Sequence, residues 1–136
     1  MNGIKMLNRQ HTEILSLINS IEDYLTNEGL NKNRAKEIRK LISKLSGKLK
    51  IHMMKEDKFL YPKLQTRSNE QVKNIAGEFV NKMGNLADEF GEYNKRYILY
   101  TEILNNKEDF IQETKEILNR LKDRIAKEDN ELYVLL

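Results

Sequence analysis

Apolar residues recur along this chain at alternating intervals of three and four, the spacing that lines one face of an α-helix. In the first stretch Ile4, Leu7, His11, Ile14, Ile18, Ile21 and Leu25 share a stripe, and Asn27-Glu28-Gly29 then supplies a glycine suited to the left-handed residue after a helix end. A second helix is predicted from about Asn33 to Tyr61, with Ile38, Ile42, Leu45, Leu49, His52, Glu56 and Phe59 on its stripe and Pro62 as its stop. Ser68-Asn69-Glu70-Gln71 has the form of a capping box, so a third helix starts near Asn69 and carries Val72, Ile75, Phe79, Met83, Leu86, Phe90, Tyr93 and Tyr97. After a break at Asn105-Asn106 the fourth stripe runs Phe110, Thr114, Ile117, Leu121, Arg124, Glu128, Leu132, Leu135. Short connections between such helices predict an all-α, up-down-up-down four-helix bundle, with residues 1–136 forming one domain.

Histidine and charged residues interrupt these stripes at matching heights. At about 1.5 Å per residue, His11 lies about 10 Å from the start of the first helix, and His52 and Glu56 lie about 13 and about 8 Å from the end of the second. Arg124 and Glu128 lie about 16 and about 10 Å from the end of the fourth. In an antiparallel bundle all five fall in one layer, against an apolar wall that the third helix supplies around Phe79 to Met83. His52 and Glu56, one turn apart, project from one face, which is how a single helix offers two ligands to one metal ion. The chain nearly repeats this stretch: Lys55-Glu56-Asp57 and Leu60-Tyr61 return as Lys127-Glu128-Asp129 and Leu132-Tyr133, with Arg124 where the first copy has His52.

Composition narrows the chemistry. There is no cysteine, so no disulfide and no thiolate ligand or nucleophile. Neither a Gly-rich phosphate loop nor a Ser paired with a base occurs, which points to binding more than to catalysis. A net charge of +3 is too mild to argue for nucleic acid, and no apolar run approaches the ~20 residues of a membrane span. The expectation is a soluble, cytoplasmic protein. Lys36, Lys40, Lys44 and Lys48 form a basic ladder on the second helix, read as a solvated face or, less simply, as a surface for an acidic partner. Tyr93, Tyr97 and Tyr100 finish the core at the far end, with their hydroxyls at its rim.

A His early in the first helix, His-x-x-x-Glu followed by Leu-Tyr-Pro in the second, and Arg-Ile-x-x-Glu-Asp-x-x-Leu-Tyr in the last together resemble the hemerythrin-like, or HHE cation-binding, domains. The resemblance spans essentially the whole chain, and Phe79-Val-Asn-Lys-Met-Gly84 with Phe90 and Tyr97 is similar to a bacterial branch of that family. It implies a metal or di-iron centre, used by relatives for dioxygen binding, gas or redox sensing, or iron handling. His11, His52 and Glu56 match the family ligands of the first two helices, and Glu128, or Asp129 one residue on, matches the bridging carboxylate of the fourth. The other iron's histidines are missing, with Phe79, Met83 and Leu86 at the third-helix positions and Arg124 at the fourth-helix position. With two histidines in the chain, a five-histidine di-iron oxygen carrier is excluded.

Two readings of the layer stay open. In one, His11, His52, Glu56 and Glu128 hold a single Fe, Zn or Mn ion with open positions for a small ligand, in a module that binds or senses oxygen or redox state. In the other no metal is bound; Arg124 replaces the second metal's charge, its fork spanning Glu56 and Glu128, and the bundle is an interaction or regulatory module. An iron-dependent oxidase or reductase is a third, weaker reading.

Overall fold

Two helix starts are set by side chains that accept backbone N–H groups which have no partner inside a helix. Asn31 Oδ1 accepts from the Arg34 N–H at 2.9 Å and opens α2 (Lys32–Lys55); Asn69 Oδ1 accepts from the Gln71 N–H at 2.8 Å and opens α4 (Glu70–Arg96). The computed structural model describes residues 2–26, 28–66 and 69–135, leaving aside the side chains of Asn2, Gln65 and Met83. Asn27 and Ser68 therefore lie outside the described residues, as does the Met83 side chain. The remaining helices are α1 (Asn2–Glu22), α3 (Tyr61–Gln65), α5 (Tyr100–Asn105) and α6 (Lys107–Lys127).

α1 packs on α2, α2 on α4, α4 on α6, and α6 returns to α1, which closes a bundle of four long helices. Neighbours run antiparallel: Arg39, early in α2, donates to Asn94, late in α4, at 2.9 Å, and from His11 to Glu22 along α1 the partner on the last helix moves back from Asp129 to Lys122. Ile14, Ile18, Ile21, Ile38, Ile42, Leu45, Phe110 and Leu121 fill the core, each almost wholly buried. Truncating one, Ile18→Ala for example, removes its transfer energy and leaves a cavity, a cost of roughly 2–5 kcal/mol.

The connection after α4 departs from the sequence reading. The third helix stops at Arg96, and the short α5 then folds back onto α2 before α6 begins. Tyr93 and Tyr97 are buried there, but the Tyr93 hydroxyl is not at the rim: it is buried and shares a 2.6 Å hydrogen bond with Thr114 Oγ1, while the Tyr97 hydroxyl donates to Glu113 at 3.0 Å. Gly29 is not left-handed either, since no described residue has positive φ. Its reason is space: a Cβ there would stand 2.5 Å from Thr26 Oγ1, which accepts the Gly29 N–H at 3.0 Å. On the basic ladder Lys48 pairs with Glu13 at 2.6 Å, Lys40 with Glu37 at 3.4 Å, and Lys36 lies 5.0 Å from the centre of the Tyr100 ring. No helix among the described residues is long and apolar enough to cross a membrane.

Candidate metal centre

The repeated Lys-Glu-Asp-x-x-Leu-Tyr segments share a backbone device. Each carries one π turn, over Glu56–Leu60 and over Glu128–Leu132, in which the N–H of Tyr61 reaches back to Glu56 O and that of Tyr133 to Glu128 O. A π turn adds one residue to the helical circuit and shifts the face presented downstream. For that reason Leu60, not Phe59 as the 3.6-residue period suggests, enters the core: Leu60 is 1% exposed and Phe59 39%. The widened turn also explains why Pro62 does not stop the helix. It sits in the first turn of α3, where its missing donor and its ring are tolerated, so the chain runs on to Gln65.

The turns deliver Glu56 and Glu128 to the layer that α1 supplies with His11 and α2 with His52. All four side chains are buried, and one ligand atom from each lies within 4.8 Å of all the others. His11 Nε2 stands 3.0 Å from His52 Nε2 and 2.9 Å from Glu128 Oε1; His52 Nε2 is 3.5 Å from both Glu56 Oε1 and Glu128 Oε1. The structure brings these four sequence-predicted residues together in one buried group.

Both rings are held from behind. His11 Nδ1–H donates to Asp129 Oδ1 at 2.8 Å and His52 Nδ1–H to Gln10 Oε1 at 2.9 Å. Carboxylate and amide oxygens only accept, so these contacts place a proton on each Nδ1 and turn both Nε2 lone pairs inward. Asp129 is thereby the partner that orients His11, not an alternative to Glu128 in the cluster. Gln10 and Tyr133 have roles that the sequence reading missed. No periodicity marks Gln10, which is found only by its contact with His52; Tyr133 was signalled by the Leu-Tyr repeat. The Tyr133 hydroxyl donates to Glu56 Oε2 at 2.9 Å, lies 3.1 Å from His11 Nε2, and its ring stacks on His11 at 5.1 Å.

Electrostatically the cluster holds an excess of acceptors. The two Nε2 atoms and the carboxylate oxygens converge with Tyr133 O–H as the donor among them, and Glu56 Oε1 and Glu128 Oε2 have no hydrogen-bond partner. Such a set requires protons or a cation. Without a metal it takes protons. Burial opposes a charge on His52, but hydrogen bonds to Glu128 and Glu56 and their charges outweigh it and raise the imidazole to about 9. Burial pushes Glu56 up to about 7, with the charge of Glu128 adding to it. Burial also opposes ionisation of Glu128, yet hydrogen bonding to His11, His52 and Glu56 prevails and holds it well below the usual carboxylate range. The donor set of two imidazoles and two carboxylates, with unpartnered carboxylate oxygens, fits a transition-metal ion.

Arg124 is buried in the same layer but does not form the expected fork. One Nη donates to the Phe79 carbonyl at 2.5 Å, the guanidinium lies 4.1 Å from the centre of the Phe79 ring, and Nε is 3.8 Å from Glu128 Oε2, too far for a hydrogen bond. No described contact joins it to Glu56. The Phe79 ring and carbonyl capture the head of the side chain before it reaches across the layer. Tyr61, the counterpart of Tyr133 in the repeat, is also buried, and its hydroxyl has no partner; burial first, then the charges of Glu56 and Glu128, push its pKa up, with Arg124 opposing.

An all-α bundle with a buried His/Glu cluster that could hold a metal is the architecture of a cation-binding bundle. Residues 2–136 match the family model of the hemerythrin HHE cation-binding domain, and the chain belongs to that family. No curated protein and no solved structure matches it.

Proposed function

We propose that this chain binds one transition-metal ion through His11, His52, Glu56 and Glu128, iron in preference to zinc or manganese, and acts as a binding or sensing module for a small ligand at that centre. The observation that carries this reading is the orientation of the two imidazoles. Each is anchored through Nδ1 by an outer acceptor and offers Nε2 to the same point, the arrangement found around metal-ligating histidines. Two imidazoles with carboxylates suit non-haem iron, and four protein ligands leave positions open for a small molecule. When bound, the ion supplies Lewis acidity and, as iron, one-electron chemistry. The chain's own residues do the rest: Asp129 and Gln10 fix the tautomers, Tyr133 donates a proton to the hydrogen bond on Glu56 Oε2, and the surrounding core excludes water.

The supporting experiment is elemental analysis of protein expressed in iron-rich medium, together with its absorption spectrum. One metal per chain, lost in His52→Ala, is expected. Two irons per chain with an oxo-bridge spectrum, or a metal-free wild-type protein, would rule the reading out. One observation favours the alternative of a metal-free interaction module: the buried positive charge of Arg124 is 3.8 Å from Glu128 Oε2. It stands against one carboxylate of the two, however, which is why we rank that reading second.

A further inference from the structure

The Tyr133 hydroxyl sits among the ligand atoms of the cluster, not behind them. It lies 3.1 Å from His11 Nε2, 3.4 Å from His52 Nε2 and 2.9 Å from Glu56 Oε2. The contacts among the four predicted ligands have the same spacing, from 2.9 Å between His11 Nε2 and Glu128 Oε1 to 3.5 Å between His52 Nε2 and each carboxylate. Around an ion with bonds of about 2.1 Å, neighbouring ligand atoms stand about 3.0 Å apart and opposite ones about 4.2 Å. The hydroxyl thus keeps a neighbour's distance to three of the four residues. Its ring is fixed in place, buried and stacked on His11 with 8° between the planes. One O–H proton serves one acceptor at a time, so the hydroxyl cannot satisfy Glu56 Oε2 and both Nε2 lone pairs together; an ion bound to the phenolic oxygen and both nitrogens would. Tyr61, its counterpart in the repeated segment, differs: its hydroxyl has no hydrogen-bond partner.

We propose that Tyr133 is a fifth ligand of the metal centre, bound as phenolate when the ion is ferric and standing back as phenol, donating to Glu56 Oε2, when it is ferrous. The inference rests on the reading of the cluster as an iron site. Charge decides between the two states. Two neutral imidazoles and two carboxylates balance Fe(II), whereas Fe(III) in the same buried set is left with one positive charge in excess, which a phenolate removes. Arg124 and Asp129, the charged neighbours of Glu128 and His11, add one charge of each sign in both states. Phenolate is an anionic oxygen donor suited to iron, and it fills a position for which this chain has no further histidine. The step balances: the ion gives one electron to an outer one-electron oxidant, the Tyr133 O–H bond breaks, its proton leaves to solvent and an Fe–O bond forms.

The test uses the full chain loaded with Fe(II) without oxygen and then oxidised with ferricyanide, followed by visible absorption and resonance Raman scattering. Wild type should bind one iron and, on oxidation, develop a phenolate-to-iron charge-transfer band with enhanced tyrosine ring vibrations. Tyr133→Phe should keep its ferrous ion and lose the band. Its preference for ferric over ferrous ion should fall about a hundredfold, a rise in midpoint potential of about 120 mV. Tyr61→Phe should keep the band. A wild-type chain that takes up no iron sinks the metal reading and this inference with it. One iron per chain with no phenolate signature on oxidation, or with the signature retained in Tyr133→Phe, sinks the inference alone. The first of these two outcomes is read on wild type, so the test stands whether or not Tyr133→Phe folds.

Discussion

Gln10 has no charge and no place on the core stripe of α1, yet His52 depends on it. Its Oε1 takes the Nδ1 proton, so Nε2 keeps the lone pair a metal would use. Replacing it with Leu leaves the ring free to change tautomer or rotate. Gln10→Leu is therefore expected to weaken metal binding by 10- to 100-fold, roughly 1.4–2.7 kcal/mol, with the helical content intact. Asp129→Asn is the matched change on His11: the amide can still accept, so a smaller loss is expected. Competition against a chromophoric chelator measures both. Equal affinities for wild type and Gln10→Leu would show that His52 is oriented by packing alone.

At the scale of the element, the π turns decide which residues meet. Tyr133 reaches Glu56 only because the turn over Glu128–Leu132 holds one residue more than an α-turn. Deleting the exposed Asn130 should let the segment relax to α-geometry and rotate Tyr133 by about 100° out of the layer. Glu56 Oε2 then loses its donor in a buried site, and Leu132 is driven from the core. The expected cost is about 2–4 kcal/mol, against about 1–2 kcal/mol for Tyr133→Phe, which removes the same hydrogen bond but keeps the register. Denaturant unfolding distinguishes the two. If the deletion costs no more than Tyr133→Phe, the π turn contributes nothing beyond that bond.

For the whole molecule, the cluster couples metal, protons and stability. At pH 7 the metal-free layer keeps the His52 proton, with its imidazole at about 9, and burial lets Glu56 hold part of another, its carboxyl raised to about 7. Metal binding must displace them, so roughly one to two protons should be released per ion at pH 7. Calorimetry in buffers of different ionisation enthalpy counts them, and a release near zero would place the ion elsewhere. Both groups have folded pKa values above their unfolded ones. Their contribution to the metal-free fold is complete below about 4.5 for Glu56 and about 6.5 for His52, and is lost as pH rises through about 7 and about 9 respectively. Glu128 acts oppositely, and only in acid, because its pKa is depressed. The metal-free protein should thus lose stability between pH 6 and pH 9 while the metal-loaded protein does not. The gain in Tm on adding metal should accordingly be larger at pH 9.

Periodicity alone carried the sequence a long way. An apolar stripe fixes the face a helix buries, and the rise per residue fixes the height of a polar interruption, so His11, His52, Glu56 and Glu128 could be assigned to one layer before any coordinates. The class of fold followed from the same pattern. What lay beyond it depends on quantities smaller than a helical turn. One extra residue in a π turn buried Leu60 in place of Phe59 and carried the helix through Pro62, because a constant 3.6-residue period cannot register a local change of winding. The repeat of Lys-Glu-Asp-x-x-Leu-Tyr was its trace in the sequence. Side-chain direction was illegible for another reason. Arg124 was placed at the right height and depth, but the choice between the opposite carboxylate and the Phe79 carbonyl depends on the approach of α4 to within hydrogen-bonding distance. Asp129 and Gln10 became the supports of the two imidazoles only when three helices met around them, since hydrogen bonds between residues 42 and 118 positions apart are set by packing and leave no local mark in the chain.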